Sequence, residues 1–156
     1  MLICEFENGR QAKLRHVTVG AIVVNQQGEI LLVKRAVSHN FGKYAIPGGF
    51  LDRNEDTEKA TLRELKEETG YDGEIINLFR VNDNPKRPKE DRQNVDFLYV
   101  VKLTGGGTKL NEEVSEIIWF SQTNLPAEEE FAFDHRDSIV KYFSHLARPL
   151  KLPLIG

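Results

Sequence analysis

Gly49 to Tyr71 reads GFLDRNEDTEKATLRELKEETGY, and the rest of the chain is best understood outward from it. Thr57 to Thr69 holds no Pro or Gly and is rich in Glu, Lys, Leu, Arg and Ala, which predicts a helix. Asp56 is placed to cap its first turn, and Gly70 stands just past its end, where a left-handed residue closes the last turn. Residues three and four apart on a helix share a face, so Glu64, Glu67 and Glu68 form one carboxylate cluster with Arg63 and Ala60 beside it. Leu62, Leu65 and Thr69 point to the neighbouring face, which can pack on a sheet. Three like charges within one turn repel one another, and a hard divalent cation removes the penalty. Oxygen donors without Cys or His suit Mg²⁺ or Mn²⁺ rather than zinc. Mg²⁺ usually joins a few carboxylates to substrate phosphates, so the cluster also predicts a phosphate-bearing ligand.

Gly49, Glu55, Arg63, Glu64, Glu67, Glu68 and Gly70 keep the spacing of a complete Nudix box, and the stretch resembles the Nudix hydrolases at every defining position. The resemblance implies an α/β fold, a Nudix-type α/β/α sandwich around a mixed β-sheet, covering most of residues 16–147. It implies metal ligation by Glu64, Glu67, Glu68 and the Gly49 carbonyl. Arg63 orients the carboxylates, and Glu55 holds the loop against the helix by pairing with Arg63. Water activation falls to Glu64 or to a glutamate outside the box. Glu113 is the choice for the latter, with Glu112 and Glu116 behind it. The reaction implied is metal-dependent hydrolysis of a pyrophosphate bond in a nucleoside diphosphate derivative. Pro85, fifteen residues after Gly70, stands about where ADP-ribose pyrophosphatases of the superfamily carry a proline, so ADP-ribose, giving AMP and ribose 5-phosphate, is the first choice. A nucleoside triphosphate, oxidised forms included, is the alternative. A non-catalytic nucleotide-sensing module is the rival from another class; such modules often lose box carboxylates, and here all are in place.

The chain has 156 residues, 40% hydrophobic and 29% charged, which predicts one domain over 1–156 with a real core. A net charge of −3 gives no global pull toward nucleic acid or anionic membrane. No apolar run approaches a membrane span, the first residues are too polar for a signal peptide, and Cys4 is alone. A cytoplasmic protein acting on a nucleotide is expected, without nucleic-acid or membrane partners, and a homodimer is left open.

His16–Asn25 and Glu29–Lys34 read as the two strands of a hairpin around Gln26-Gln27-Gly28. Glu74–Val81, Asn94–Leu103 and Val114–Ser121 are further strands, and Thr104–Thr108 (TGGGT) is a flexible turn. After Asp134, a candidate N-cap, Ile139, Val140, Phe143, Leu146 and Ala147 form the stripe of a second helix that Pro149 stops. For the substrate, Arg87 and Arg92 in the loop Asn82–Asn94 can clamp a diphosphate or a terminal ribose. Lys86 and Lys89 add charge there, and Pro85 and Pro88 stiffen it. Arg35 meets the substrate from the other side, and Phe41 or Tyr44 can stack on a base, against core packing as the plainer reading. His135 reads more simply as a helix-start histidine than as a site residue.

Overall fold

The computed structural model describes residues 2–87 and 92–156. Its strands are β1 (Leu2–Glu5), β2 (Gln11–Leu14), β3 (Val17–Val23), β4 (Ile30–Arg35), β5 (Tyr44–Ala45), β6 (Gly48–Phe50), β7 (Tyr71–Asn82), β8 (Val95–Gly106), β9 (Val114–Phe120) and β10 (Leu154–Ile155). The helices are α1 (Thr57–Thr69), between β6 and β7, and α2 (His135–Ala147), before β10. The main sheet runs β10-β7-β8-β3-β6. It is mixed: β3 lies parallel to β8 and antiparallel to β6, while β7 is antiparallel to β8. A second, antiparallel sheet runs β5-β4-β9.

The period-two alternation of β3 and β4 sorts the core into two layers. Ala21, Val23 and Leu31 turn toward α1 and pack with Leu65, Tyr99 and Val101. Ile22, Ile30 and Leu32 turn the other way, onto Phe79, Leu98 and the α2 residues Ile139, Tyr142 and Phe143. Both strands are buried on both faces, which is why they read as unbroken apolar runs. The result is the expected α/β/α sandwich, with strands from both sheets between the helices.

The first helix has the expected bounds. Asp56 accepts the Lys59 amide at 2.9 Å, and Gly70 sits left-handed at φ 78° while its amide reaches the Lys66 carbonyl. Leu65 and Thr69 are fully buried under it and Leu62 is partly buried. Burial of a leucine side chain of this kind stabilises by about 1.5–3 kcal/mol.

Elsewhere the structure corrects the sequence reading. The hairpin around Gly28 closes only at its tip: Val24 bridges Ile30, and then β3 and β4 part into different sheets. Each strand finds a longer partner elsewhere, β3 in β8 and β4 in β9. The TGGGT segment is not a free turn, because β8 runs on through Gly106 and pairs it with Tyr71. A side chain at Gly106 would stand 2.3 Å from the Gly70 carbonyl, so the small residues let the strand pass the end of α1. On α2 the buried residues are Ser138, Ile139, Tyr142 and Phe143, whereas Val140 and Leu146 are exposed. An additional hairpin, β1–β2, turns at Asn8-Gly9, with Gly9 at φ 76°. That Asn-Gly pair is the signal that could have revealed it. Among the described residues no helix is long and apolar enough to cross a membrane.

Candidate active site

The strap Ala45-Ile46-Pro47-Gly48-Gly49-Phe50 crosses from the second sheet to the edge of the first and lays its glycines against α1. β6 pairs with β3 through Val19 opposite Gly49 and Gly20 opposite Gly48. A side chain on Gly48 would come within 2.1 Å of the Val19 carbonyl, and one on Gly49 within 2.4 Å of Glu64 Oε1. Two glycines therefore bring backbone and carboxylate into contact that no other residue permits. The Gly48 amide donates to Glu68 Oε2 at 2.9 Å, fixing that carboxylate beneath the strap.

Arg63 holds the cluster from behind. Its guanidinium donates to both Glu55 oxygens (2.7 and 3.1 Å), to Glu64 Oε1 (2.8 Å), to Glu67 Oε2 (3.3 Å) and to the Phe50 carbonyl (3.1 Å). Glu55 also accepts the Asp52 amide, so the loop between β6 and α1 is tied to the helix through the Arg63–Glu55 pair. Arg63 holds Glu55 below the usual carboxylate range, helped by the Asp52 amide. Burial works the opposite way on the cluster. It pushes Glu64 up against the pull of Arg63, and pushes Glu68 up to about 8, with Glu64 adding repulsion and the Gly48 amide opposing.

These groups line a cavity of about 690 Å³. Glu64, Glu67, Glu68, Gly48 and Gly49 line it together with Glu112 and Glu113. Glu113 is near enough to raise the charge cost of both Glu64 and Glu68, and its main chain is fixed by Asn111 and Ala36. Glu116 instead pairs with Lys34 at 3.4 Å and stays outside. The donor set is oxygen throughout, as Mg²⁺ or Mn²⁺ requires. Even so, among the described residues no three Asp, Glu, His or Cys side chains converge tightly enough to form a metal cluster. Their positions explain the spread: Arg63 takes Glu64 and Glu67 while the strap takes Glu68, so mutual repulsion is relieved by separation. In the chemistry of their donors the residues fit such a cation.

Arg35 and Arg92 line the cavity, Arg35 lying 5.4 Å over the Phe133 ring and Arg92 5.6 Å over the Phe50 ring. Phe41 does not line it. Asn40 and Gly42 both take positive φ in the turn back to Lys43, and the ring between them is thrown outward, 70% exposed. Tyr44 packs in the core against Phe120 and Phe131. Arg87 borders the cavity but is buried, with Nη2 2.6 Å from Asp134 and 3.6 Å from Asp96. The cation expected to clamp a diphosphate is instead committed to two buried carboxylates. Asp134 correspondingly caps nothing at the start of α2. Burial pushes the Asp134 carboxyl up, but Arg87 outweighs it and holds it below its usual range. Pro88 and Lys89 lie outside the described residues.

Residues without a sequence signal complete the wall. Thr18 donates to Asp96 at 3.0 Å at the inner end, beside Leu98 and Ile46. His135, first read as a helix-start residue, takes the Ile46 amide on Nδ1 at 3.0 Å and lines the cavity. Burial pushes its pKa down to about 3 against the pull of Asp134, so the ring is neutral.

A NUDIX domain profile matches residues 14–142. The ADP-ribose pyrophosphatase of Methanocaldococcus jannaschii is 32% identical over 120 residues, which are 77% of this chain and 69% of that protein. An 8-oxo-dGDP phosphatase of Danio rerio is 27% identical over 141 residues, and there the chain spans only 42% of the relative's length. In structure, a NUDIX hydrolase from Nitrosomonas europaea superposes with a TM-score of 0.81 at 26% identity, covering 93% of this chain and 79% of that one.

Proposed function

Given that this chain belongs to the NUDIX domain family and is therefore a hydrolase acting on phosphoric anhydrides of nucleotide derivatives, we propose that it cleaves ADP-ribose to AMP and ribose 5-phosphate. The observation that carries the reading is the meeting of Glu64, Glu67, Glu68 and Glu113 with the Gly48–Gly49 strap in one cavity that Arg35 and Arg92 also line. A cavity of about 690 Å³ suits a nucleoside diphosphate derivative. The relative from Methanocaldococcus jannaschii supports the choice of substrate.

In this reading Glu64, Glu67, Glu68 and the Gly49 carbonyl hold Mg²⁺ or Mn²⁺. The ions, when bound, neutralise charge on the pyrophosphate and orient the attacking water. Arg63 keeps Glu64 and Glu67 turned toward the cavity. Glu64 or Glu113 takes the proton from the water as its oxygen bonds to phosphorus and the anhydride P–O bond breaks. Glu64, raised by desolvation, holds a proton more readily than an exposed carboxylate does. Arg35 and Arg92, elsewhere in the cavity wall, steady the diphosphate. Arg87 supports that wall through Asp134 rather than touching the phosphates.

The 8-oxo-dGDP phosphatase relative favours a second reading, an oxidised nucleoside di- or triphosphate. Initial rates with Mg²⁺ on ADP-ribose, a dinucleoside diphosphate, dGTP, 8-oxo-dGTP and 8-oxo-dGDP separate the two. ADP-ribose is expected to give the highest kcat/KM. Brisk cleavage of the oxidised nucleotides with ADP-ribose untouched would replace the first reading with the second.

A further inference from the structure

One stretch of the cavity wall is built around Phe133, a bulky residue at φ 53°. Side chains other than glycine and asparagine avoid this region, so the surrounding contacts must hold it there. Its ring packs at 5.2 Å from His135 and 5.6 Å from His39, with the Arg35 guanidinium 5.4 Å away. Arg35, His39, Phe133 and His135 all line the cavity.

Within this group His135 has one nitrogen assigned. Nδ1 accepts the Ile46 amide, so the ring proton lies on Nε2. Burial keeps the imidazole neutral, as its lowered pKa records. The residue is only partly buried and lines the cavity. Nε2 is not among the buried polar atoms lacking a partner, and no protein acceptor takes it among the described residues. A fixed, uncharged N–H donor therefore faces the space where substrate sits.

We propose that His135 is a specificity-determining residue, donating from Nε2 to an acceptor atom of the nucleoside half of the substrate while Nδ1 stays bound to Ile46. The proposal rests on the reading of the cavity as a nucleotide site. The neighbourhood selects the nucleoside over the phosphates. Ile46, Leu98 and Phe133 are apolar wall, and the Arg87 cation beside them is already engaged with Asp96 and Asp134. The pyrophosphate gains more at Glu64, Glu67 and Glu68, where the carboxylates would bring metal, with Arg35 beside Glu68. A neutral donor suits a neutral acceptor such as a ring nitrogen, a carbonyl or a sugar hydroxyl.

Two substitutions divide the imidazole's two tasks. In His135→Asn the amide oxygen takes the place of Nδ1 for the Ile46 amide, and the distal donor is lost. In His135→Gln the amide nitrogen reaches the place of Nε2. Calorimetric binding to the full chain with Mg²⁺ is measured for α,β-methylene-ADP, which cannot be cleaved, and for methylenebisphosphonate, which has no nucleoside. His135→Asn is expected to weaken α,β-methylene-ADP about tenfold or more, leave the bisphosphonate within about twofold and keep the wild-type Tm. His135→Gln is expected to recover most of the lost affinity. Equal weakening toward both ligands, or undiminished nucleotide affinity in His135→Asn, overturns the proposal. So does a Gln variant as weak as Asn, since that assigns the histidine a structural role. Failure of the wild-type chain to prefer the nucleotide over the bisphosphonate overturns the nucleotide reading itself and the proposal with it, a result visible without any substitution.

Discussion

Two adjacent glycines carry different burdens. A β-carbon on Gly48 meets the Val19 carbonyl, which is strand backbone and cannot retreat. Gly48→Ala is therefore expected to destabilise by about 1–3 kcal/mol, read as a lower midpoint in urea. A β-carbon on Gly49 meets only the tip of the Glu64 side chain, which can swing aside. Gly49→Ala should keep stability within about 1 kcal/mol, yet lower kcat by about a hundredfold, because a displacement of about 1 Å at a reacting centre costs that much. A Gly49→Ala enzyme with wild-type kcat would count against Glu64 working in contact with the strap.

At the scale of elements, α1 has one face for chemistry and one for packing. Glu67→Gln and Glu68→Gln preserve size and remove charge, so kcat should fall by about a hundredfold or more with the circular-dichroism spectrum unchanged. Leu65→Ala empties a fully buried position and should cost about 2–5 kcal/mol while the surviving folded fraction keeps its turnover number. Near-normal turnover in both Gln variants would make the acidic face an ordinary solvated one. The segment after β7 is joined to the start of α2 by the buried pair Arg87–Asp134. Breaking one side of such a pair leaves a buried charge, so Arg87→Ala should destabilise by about 3–5 kcal/mol. A raised KM with unchanged Tm would return Arg87 to direct contact with substrate.

For the whole molecule, metal ligation by the carboxylate cluster, as proposed, would couple metal, proton and stability. Glu68 titrates near 4.5 when unfolded and at about 8 in the folded, metal-free protein. The folded state thus holds the proton more tightly. Its contribution to stability is full below about pH 4.5 and is lost as pH rises through about 8. Metal-free protein should show a falling Tm between pH 6 and pH 9, and saturating Mg²⁺ should offset the fall because the ion binds only the folded cluster. Mg²⁺ affinity should rise by up to about tenfold per pH unit until Glu68 is ionised, then level off. Titration calorimetry at several pH values checks the slope; affinity independent of pH would remove Glu68 from the ion's ligands.

Sequence alone determined what is local. Helical periodicity and two capping residues set the bounds of α1 and its acidic face, since i, i+3 and i+4 neighbours and end caps are properties of a few consecutive residues. β-rich runs likewise marked β3 and β4 as strands. What the chain could not show in one dimension was partnership. The partners of β3 and β4 lie 78 and 84 positions away, by the pairings Thr18–Asp96 and Val33–Ile117, so the apparent hairpin gave way to longer pairings elsewhere. Arg87 meets Asp134 across 47 positions, and this turned an expected phosphate clamp into a buried brace. His135 and Ile46 are 89 apart, and Phe133 carries no mark of its positive φ. Only tertiary packing brings such residues together, because desolvation and fixed hydrogen-bond geometry arise where distant segments meet.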